Sequence, residues 1–367
     1  MSGPRLTPLA TSLPATIPFV GPETMERLRG APFTARLGAN ESPFGPSPRA
    51  IAAMCDAVTE AWMYPDPENH DLRQALADYH EIGLDHIVVG EGIDGLLGVV
   101  VRLLVAPGDA VVTSDGAYPT FNYHVAGFGG TLHKVPYRDD REDPQALLDR
   151  ARETGAKLLY LSNPDNPMGS WHDPATIEAM IGNLPDGCLL VLDEAYAGCS
   201  DIPTAPPLDV DDPRVIRMRT FSKAHGLAGA RVGYAIGAAP LVASFGLVRN
   251  HFGVSRLSQT AALAALSDTD WPVEVRRRIA ESASAINDIA TDAGLVALPT
   301  ATNFVTIDCG RDGAFARKVL DGLLRRGIFV RMPGVAPLDR CIRVSCGPAP
   351  DMERLAQALP GAVAEAS

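Results

Sequence analysis

Four lysines stand beside 28 arginines in this 367-residue chain (32 basic side chains less four), so each lysine can be weighed singly. Lys134 and Lys157 border apolar runs and Lys318 sits in an amphipathic stretch, which reads as solvated surface. Lys223 differs. It lies in Thr220-Phe221-Ser222-Lys223-Ala224-His225-Gly226, with two hydroxyls before it, a glycine-rich turn after it and Arg231 eight residues on. A lysine amine condenses with a carbonyl to a Schiff base once its surroundings depress its pKa. The hydroxyls and the planar fork of Arg231 suit a phosphate alongside. An aldehyde that carries a phosphate meets both demands, and pyridoxal phosphate is such a molecule.

That cofactor makes further demands. Its ring is an electron sink while the ring nitrogen is protonated, which calls for a buried carboxylate. Asp193 closes the apolar run Leu189–Leu192, ahead of Glu194-Ala195-Tyr196; capping a helix is the other use of an acid there. The ring's phenolic oxygen needs donors, available from Tyr196 and from Asn166 in Asn163-Pro164-Asp165-Asn166-Pro167-Met168-Gly169. Tyr118, in Gly116-Ala117-Tyr118-Pro119, offers an aromatic face for the ring. Gly90-Glu91-Gly92-Ile93-Asp94-Gly95 has the form of a dinucleotide fingerprint, with Asp115 downstream. Glycines leading into a helix N-terminus serve any phosphate, so the loop points to a phosphate more firmly than to a nicotinamide cofactor.

These residues fall at the ends of short apolar runs that alternate with helical patterns. Strands are predicted at His86–Val89, Ala110–Thr113, Leu132–Val135, Leu158–Ser162, Leu189–Asp193, Val215–Arg219 and Val232–Ile236, with helices at Gly92–Val105, Pro144–Thr154 and Pro174–Ile181. Such alternation specifies an α/β domain with a mainly parallel seven-stranded sheet between helices. After Gly237 come helical stretches at Leu241–Asn250, Ser258–Leu266 and Val273–Ala293. Strands follow at Phe304–Asp308, Ile328–Arg331 and Ile342–Cys346, with a helix at Ala314–Arg325, reading as a smaller α+β domain. The expected organisation is an N-terminal arm over 1–40 packing on the small domain, a large cofactor domain over 41–248 and a small domain over 249–367.

Apolar residues at 46% and charged residues at 21% argue against wholesale disorder. A net charge of −12 argues against a nucleic-acid or anionic-membrane partner. The first thirty residues hold five prolines and no continuous apolar core, so no signal peptide is read there, and no run approaches the ~20 residues of a membrane span. Six scattered cysteines without a C-x-x-C pair read as free thiols of a cytoplasmic protein, and the eight histidines show no metal-ligand spacing.

From Leu37 to about Leu359 the chain resembles the fold-type I pyridoxal-phosphate aminotransferases of class I/II, and among them the histidinol-phosphate aminotransferases. Leu37-Gly38-Ala39-Asn40-Glu41-Ser42-Pro43-Phe44-Gly45-Pro46 is similar to the family's L-x-x-N-E-N-P-x-G-P segment, and Tyr64-Pro65-Asp66-Pro67 to its Y-P-D-P element. The resemblance implies that Gly92, Ile93 and Asp94 bind the cofactor phosphate with Thr220, Ser222 and Arg231. It implies that Tyr118 stacks on the ring, which Asn166, Asp193, Tyr196 and Lys223 contact. Tyr64 would reach the phosphate in the other subunit of a homodimer with shared sites, and Asn40, Arg331 and Arg343 would bind substrates. Departures from the family pattern are Gly95 for Glu, Asp165 and Met168 for Asn and Thr, and His225 for an aromatic.

The implied reaction is a transamination in which Lys223 carries the cofactor and moves protons, with histidinol phosphate as amino donor and 2-oxoglutarate as acceptor. Donors of aromatic or other amino acids are the alternative, then a pyridoxal-phosphate decarboxylase of a phosphorylated amino acid such as threonine phosphate. A nicotinamide dehydrogenase resting on the glycine loop leaves the Lys223, Asp193 and Asn166 segments unexplained.

Overall fold

The computed structural model describes residues 5–14 and 20–367; residues 1–4 and 15–19 of the expected N-terminal arm lie outside the described residues. A two-residue strand, β1 (Ala35–Arg36), precedes seven that form the main sheet. These are β2 (Ile87–Gly90), β3 (Ala110–Ser114), β4 (Thr131–Val135), β5 (Leu158–Ser162), β6 (Leu189–Asp193), β7 (Val215–Thr220) and β8 (Gly233–Gly237). Their bounds fall within one residue of those read from the sequence. In space they run β2-β8-β7-β6-β5-β3-β4, and only β8 is antiparallel to its neighbours.

Apolar residues on both faces of a strand require a core on each side. On β5, Leu158 and Tyr160 pack with Leu97 and Val101 of helix Gly92–Leu104 and with Phe121. Leu159 and Leu161 turn the other way, onto Leu147, Leu148, Ile177 and Met180. Helices Pro144–Thr154 and Pro174–Gly182 that carry those four start with a capping aspartate and a proline in the first turn. Asp143 accepts from the Ala146 amide and Asp173 from that of Thr176.

A third cluster joins Leu72, Leu76, Ile87, Val89 and Ile236 to Ala261, Ala262 and Ala265 of helix Arg256–Ser267. The core on that side of the main sheet thus continues past residue 248. Helices His70–His80, Pro119–Gly127 and Ala349–Ala366 add to those read from the sequence, and a short helix, Pro8–Ser12, lies in the expected N-terminal arm. The last of the longer three carries Pro360 within it, a residue that argues against a helix when read locally.

The second sheet is small and antiparallel: β9 (Val296–Ala297), β10 (Phe304–Asp308) and β12 (Cys341–Ser345), in the order β12-β10-β9. β11 (Ile328–Phe329) pairs parallel with β1, Ala35 opposite Ile328, and Leu37 packs into the same core as Ile342 and Val344. The chain before the large sheet is thereby tied to the chain after it. Among the described residues no helix is long and apolar enough to cross a membrane, and all six cysteines are free thiols. Ser162, Asp193 and Thr220 end the adjacent parallel strands β5, β6 and β7, the edge at which open α/β sheets place ligands.

Candidate active site

At that edge lies a cavity of about 730 Å³, lined also by residues 331–335 and Arg343 from beside the small sheet. Lys223 lies in its wall, three residues past β7, and its Nζ donates to the Asn40 main-chain oxygen at 2.9 Å. Burial pushes the amine down to about 8, because an ammonium loses hydration there. Its Nζ stands 5.4 Å from the centre of the Tyr196 ring.

The residues that could hold a phosphate lie together in this cavity. Thr220, Ser222 and Arg231 line it with Ile93 and Asp94 of the first turn of helix Gly92–Leu104. The Thr220 hydroxyl donates to that of Ser222 at 2.9 Å, and Arg231 Nη2 lies 3.5 Å from Asp94 Oδ2. Gly92 sits just behind this wall with φ +73°, where a Cβ would come within 2.6 Å of Arg231 Nη2. A left-handed glycine therefore lets guanidinium and helix N-terminus converge. Of the three glycines in Gly90-x-Gly92-x-x-Gly95, only Gly92 has a positive φ. The space beside Gly95 is taken by Glu91, whose side chain would meet a Cβ at 3.1 Å. Asp115, the acid of the fingerprint reading, is ion-paired with Lys134 at 3.0 Å.

The floor is Asp193, buried at the end of β6. Its Oδ1 accepts from the Ala195 amide at 3.0 Å and its Oδ2 from the Tyr160 hydroxyl at 2.7 Å. Burial pushes this carboxyl up to about 6 despite both donors. Tyr118 lines the cavity just before helix Pro119–Gly127 and donates to Asp94 Oδ1 at 2.9 Å.

Hydrogen-bond valence fixes what Tyr196 and Asn166 can still offer. The Tyr196 oxygen accepts from Asn40 Nδ2 at 3.0 Å, leaving its proton to donate. The Asn166 Oδ1 accepts from Arg343 Nη1, leaving the amide Nδ2 to donate. Arg343 also donates to the Gly38 oxygen at 3.3 Å, and its buried Nε has no hydrogen-bond partner. Arg331, antiparallel to it across a β-bridge, donates to the Val20 oxygen at 2.8 Å. Burial lowers the pKa of both arginines, a cost that an anion between them would offset. Tyr64 lies apart: it is 79% exposed, outside the cavity, with its ring 5.0 Å from that of Phe252.

The residues fit pyridoxal phosphate on their own geometry. A glycine cradle with hydroxyls and a guanidinium, a buried carboxylate, two poised donors and a desolvated lysine share one cavity. Three features escaped the sequence reading. Lys134, exposed on β4 as a solvated lysine is, also lines the cavity. Tyr160 shows itself in sequence only as a phenol in an aliphatic strand, a group that needs a buried partner. Glu142 and Asp165 form a buried acid pair; Glu142 accepts from the Ser114 hydroxyl at 2.6 Å and Asp165 from that of Tyr137 at 2.8 Å. Burial and their mutual repulsion raise the Glu142 pKa, and burial raises that of Asp165.

Residues 34–359 match the family model described as aminotransferase class I and II. A histidinol-phosphate aminotransferase of Mesorhizobium japonicum is 36% identical over 345 residues, 92% of each chain. One from Symbiobacterium thermophilum is 33% identical over 94% of each. The crystal structure of histidinol-phosphate aminotransferase from Sinorhizobium meliloti in complex with pyridoxal-5'-phosphate superimposes with a TM-score of 0.97. It is 52% identical and covers 100% of this chain and 99% of that one. Aspartate aminotransferase from Thermus thermophilus, at 19% identity and a TM-score of 0.83, shares the fold.

Proposed function

The chain belongs to the aminotransferase class I and II family, a pyridoxal-phosphate-dependent enzyme by its match, and from that premise we propose that it transfers the amino group of histidinol phosphate to 2-oxoglutarate. One observation carries the reading. The desolvated Lys223 amine shares one cavity with Arg231, which packs against Gly92, and with half-buried Arg343, whose buried Nε has no partner.

Bound there, the cofactor supplies an aldehyde for amines and a ring that accepts the electrons released at the substrate Cα. Thr220, Ser222, Arg231 and the first turn of helix Gly92–Leu104 hold its phosphate. Lys223 would hold its aldehyde carbon. Asp193, ionised, keeps a proton on the ring nitrogen; Tyr196 and Asn166 donate to the phenolic oxygen, and Tyr118 covers the ring. The Lys223 amine would take the proton from the substrate Cα, a role its lowered pKa suits near neutrality. Arg331 and Arg343 take the phosphate of histidinol phosphate in one half-reaction and carboxylates of 2-oxoglutarate in the other. One pair of arginines thus serves both substrates.

Exposed Trp62, Tyr64, Leu247 and Phe252 support a homodimer, in which Tyr64 of one subunit reaches the site of the other. The free thiols support a cytoplasmic setting. The test is a single-turnover absorbance measurement on the purified holoenzyme with histidinol phosphate, phenylalanine and threonine phosphate, and Lys223→Ala alongside. Fastest conversion by histidinol phosphate is expected. A faster reaction with another amine overturns the substrate, and release of carbon dioxide from threonine phosphate overturns the reaction type.

A further inference from the structure

Asp193 must remain charged to hold a proton on a ring nitrogen, and its surroundings oppose that charge. Burial is the main opposing effect, and Asp94 and Glu194, as like charges, add to it. Two donors act the other way. The Ala195 amide comes from the turn that follows Asp193 itself. The second, the Tyr160 hydroxyl, comes from the neighbouring strand β5 and lies 2.7 Å from Oδ2.

Packing holds that hydroxyl in place. The Tyr160 side chain is fully buried, and its ring stacks on Phe121 at 4.7 Å and 18° between planes. Phe121 belongs to helix Pro119–Gly127, which begins directly after Tyr118. The helix that presents Tyr118 to the cavity therefore also clamps the ring of Tyr160. Burial, with Asp193, Glu142 and Tyr118 near by, raises the phenol far above its ordinary range, so it is a donor at every working pH. A bond at Oδ2 from the strand side and one at Oδ1 from the turn fix the plane of the carboxylate. Each oxygen keeps a further lone pair for a donor in the cavity.

Resting on the function proposed above, we infer that Tyr160 is a positioning residue for Asp193: its hydroxyl fixes the carboxylate plane and holds the group ionised, and so sets how strongly a protonated ring nitrogen is held. Tyr160 touches neither cofactor nor substrate in this account; it acts through Asp193. A phenylalanine would keep the stacking and the volume and remove the one donor that another strand supplies.

The experiment is Tyr160→Phe in the holoenzyme, with the bound cofactor's absorbance titrated from pH 5 to 9 and its dissociation constant measured by dialysis. The absorbance midpoint is expected to rise by about one pH unit, the equivalent of a tenfold change. Cofactor affinity should fall about ten- to a hundredfold, the range for a lost hydrogen bond to a charged group. The donor KM should change by less than about twofold while kcat falls with the affinity. Wild-type midpoint and affinity with only a lower Tm would make Tyr160 a packing residue and overturn the inference. Should Tyr160→Phe fail to fold, Phe121→Leu loosens the ring and leaves the hydroxyl. It should move the midpoint the same way by less, and an unmoved midpoint overturns the inference as well. Wild-type protein that takes up no pyridoxal phosphate overturns the proposed function instead, so the two failures are distinguishable.

Discussion

Lys223 donates from Nζ to the main-chain oxygen of Asn40 at 2.9 Å, across 183 residues of chain. Asn40 is held in a left-handed turn, φ 53°, by contacts from the small sheet: its amide donates to the Ser345 hydroxyl at 3.0 Å. Asn303 Nδ2 donates to the same Asn40 oxygen at 3.1 Å. The lysine on the large sheet is thus oriented by a segment that the small sheet anchors. Asn40 also donates to Tyr196, so one residue addresses both the amine and the phenol.

The buried Lys223 amine loses its proton near pH 8 rather than in the ordinary lysine range. Uptake of pyridoxal phosphate by the apo protein should therefore quicken as pH rises and level off above about 8. Stopped-flow absorbance from pH 6 to 10 would show it. A rate still climbing steeply at pH 10 would mean the amine is solvated.

Gly92→Ala should weaken the cofactor phosphate site. The left-handed φ of +73° costs a Cβ-bearing residue about 1–2 kcal/mol, and the methyl would press on Arg231 Nη2. Affinity for pyridoxal phosphate should drop about tenfold or more, read by dialysis. Inorganic phosphate should compete less well in the variant; equal competition would place the phosphate elsewhere.

The main sheet was legible because its strands are short, bounded by turn residues and, in β2, β3, β5, β6 and β8, buried along almost their whole length. Asp193 and Lys223 were legible for a related reason: a charged residue closing or following such a run needs a purpose. Pairings across the chain were not. β1 and β11 are two residues each, and nothing local in Ala35–Arg36 announces Ile328–Phe329 as its partner. Lys134 is surface, as its sequence suggests, but a strand of mixed burial, Thr131–Val135, does not say that this exposed side chain also borders a cavity. The departure at Gly95 found its physical account only in space, where Glu91 occupies the adjoining volume. His225 packs its ring against Phe221 at 4.9 Å, the place an aromatic would fill.

Asp165, where the resembling family has Asn, should make stability depend on pH. Its folded pKa is raised to about 7 by burial, above the ordinary carboxylate value, so the folded state holds the proton more tightly than the unfolded one. That stabilisation is complete below about pH 4 and is lost as pH rises through about 7. Asp165→Asn should match the wild-type apo protein near pH 4 and exceed it by up to a few kcal/mol at pH 7.5. The Tyr137 hydroxyl can turn to accept from the new amide. Scanning calorimetry at both pH values decides, and a difference independent of pH would deny the shared burial its cost.

Arg343→Lys should separate substrate binding from cofactor binding. Arg343 bonds Asn166 and Gly38 while its Nε stays without a partner, and a single ammonium cannot reproduce that fork. KM for histidinol phosphate and for 2-oxoglutarate should both rise by about tenfold or more, with cofactor uptake within about twofold of wild type. A rise for one substrate alone would mean that the two anions use different arginines.

Tyr64 provides a test of shared sites. Its ring is exposed, yet its backbone is held: Arg256 donates to its oxygen at 3.0 Å, and Gln259 to that of Asp66 at 3.0 Å. A segment fixed this firmly, with an aromatic ring turned outward beside Phe252, is placed to enter another subunit. Tyr64→Ala and Lys223→Ala should each lose most activity as homodimers. In a mixed dimer, the site on the Tyr64→Ala chain keeps its own Lys223 and receives an intact Tyr64 from the other subunit. The opposite site lacks both. Mixing equal amounts and allowing exchange should then restore about a quarter of the wild-type activity, because half the dimers are mixed and each has one whole site. Mass spectrometry of differently tagged chains would confirm exchange. Mixed dimers without recovered activity would place Tyr64 outside the neighbouring site and confine each active site to one chain.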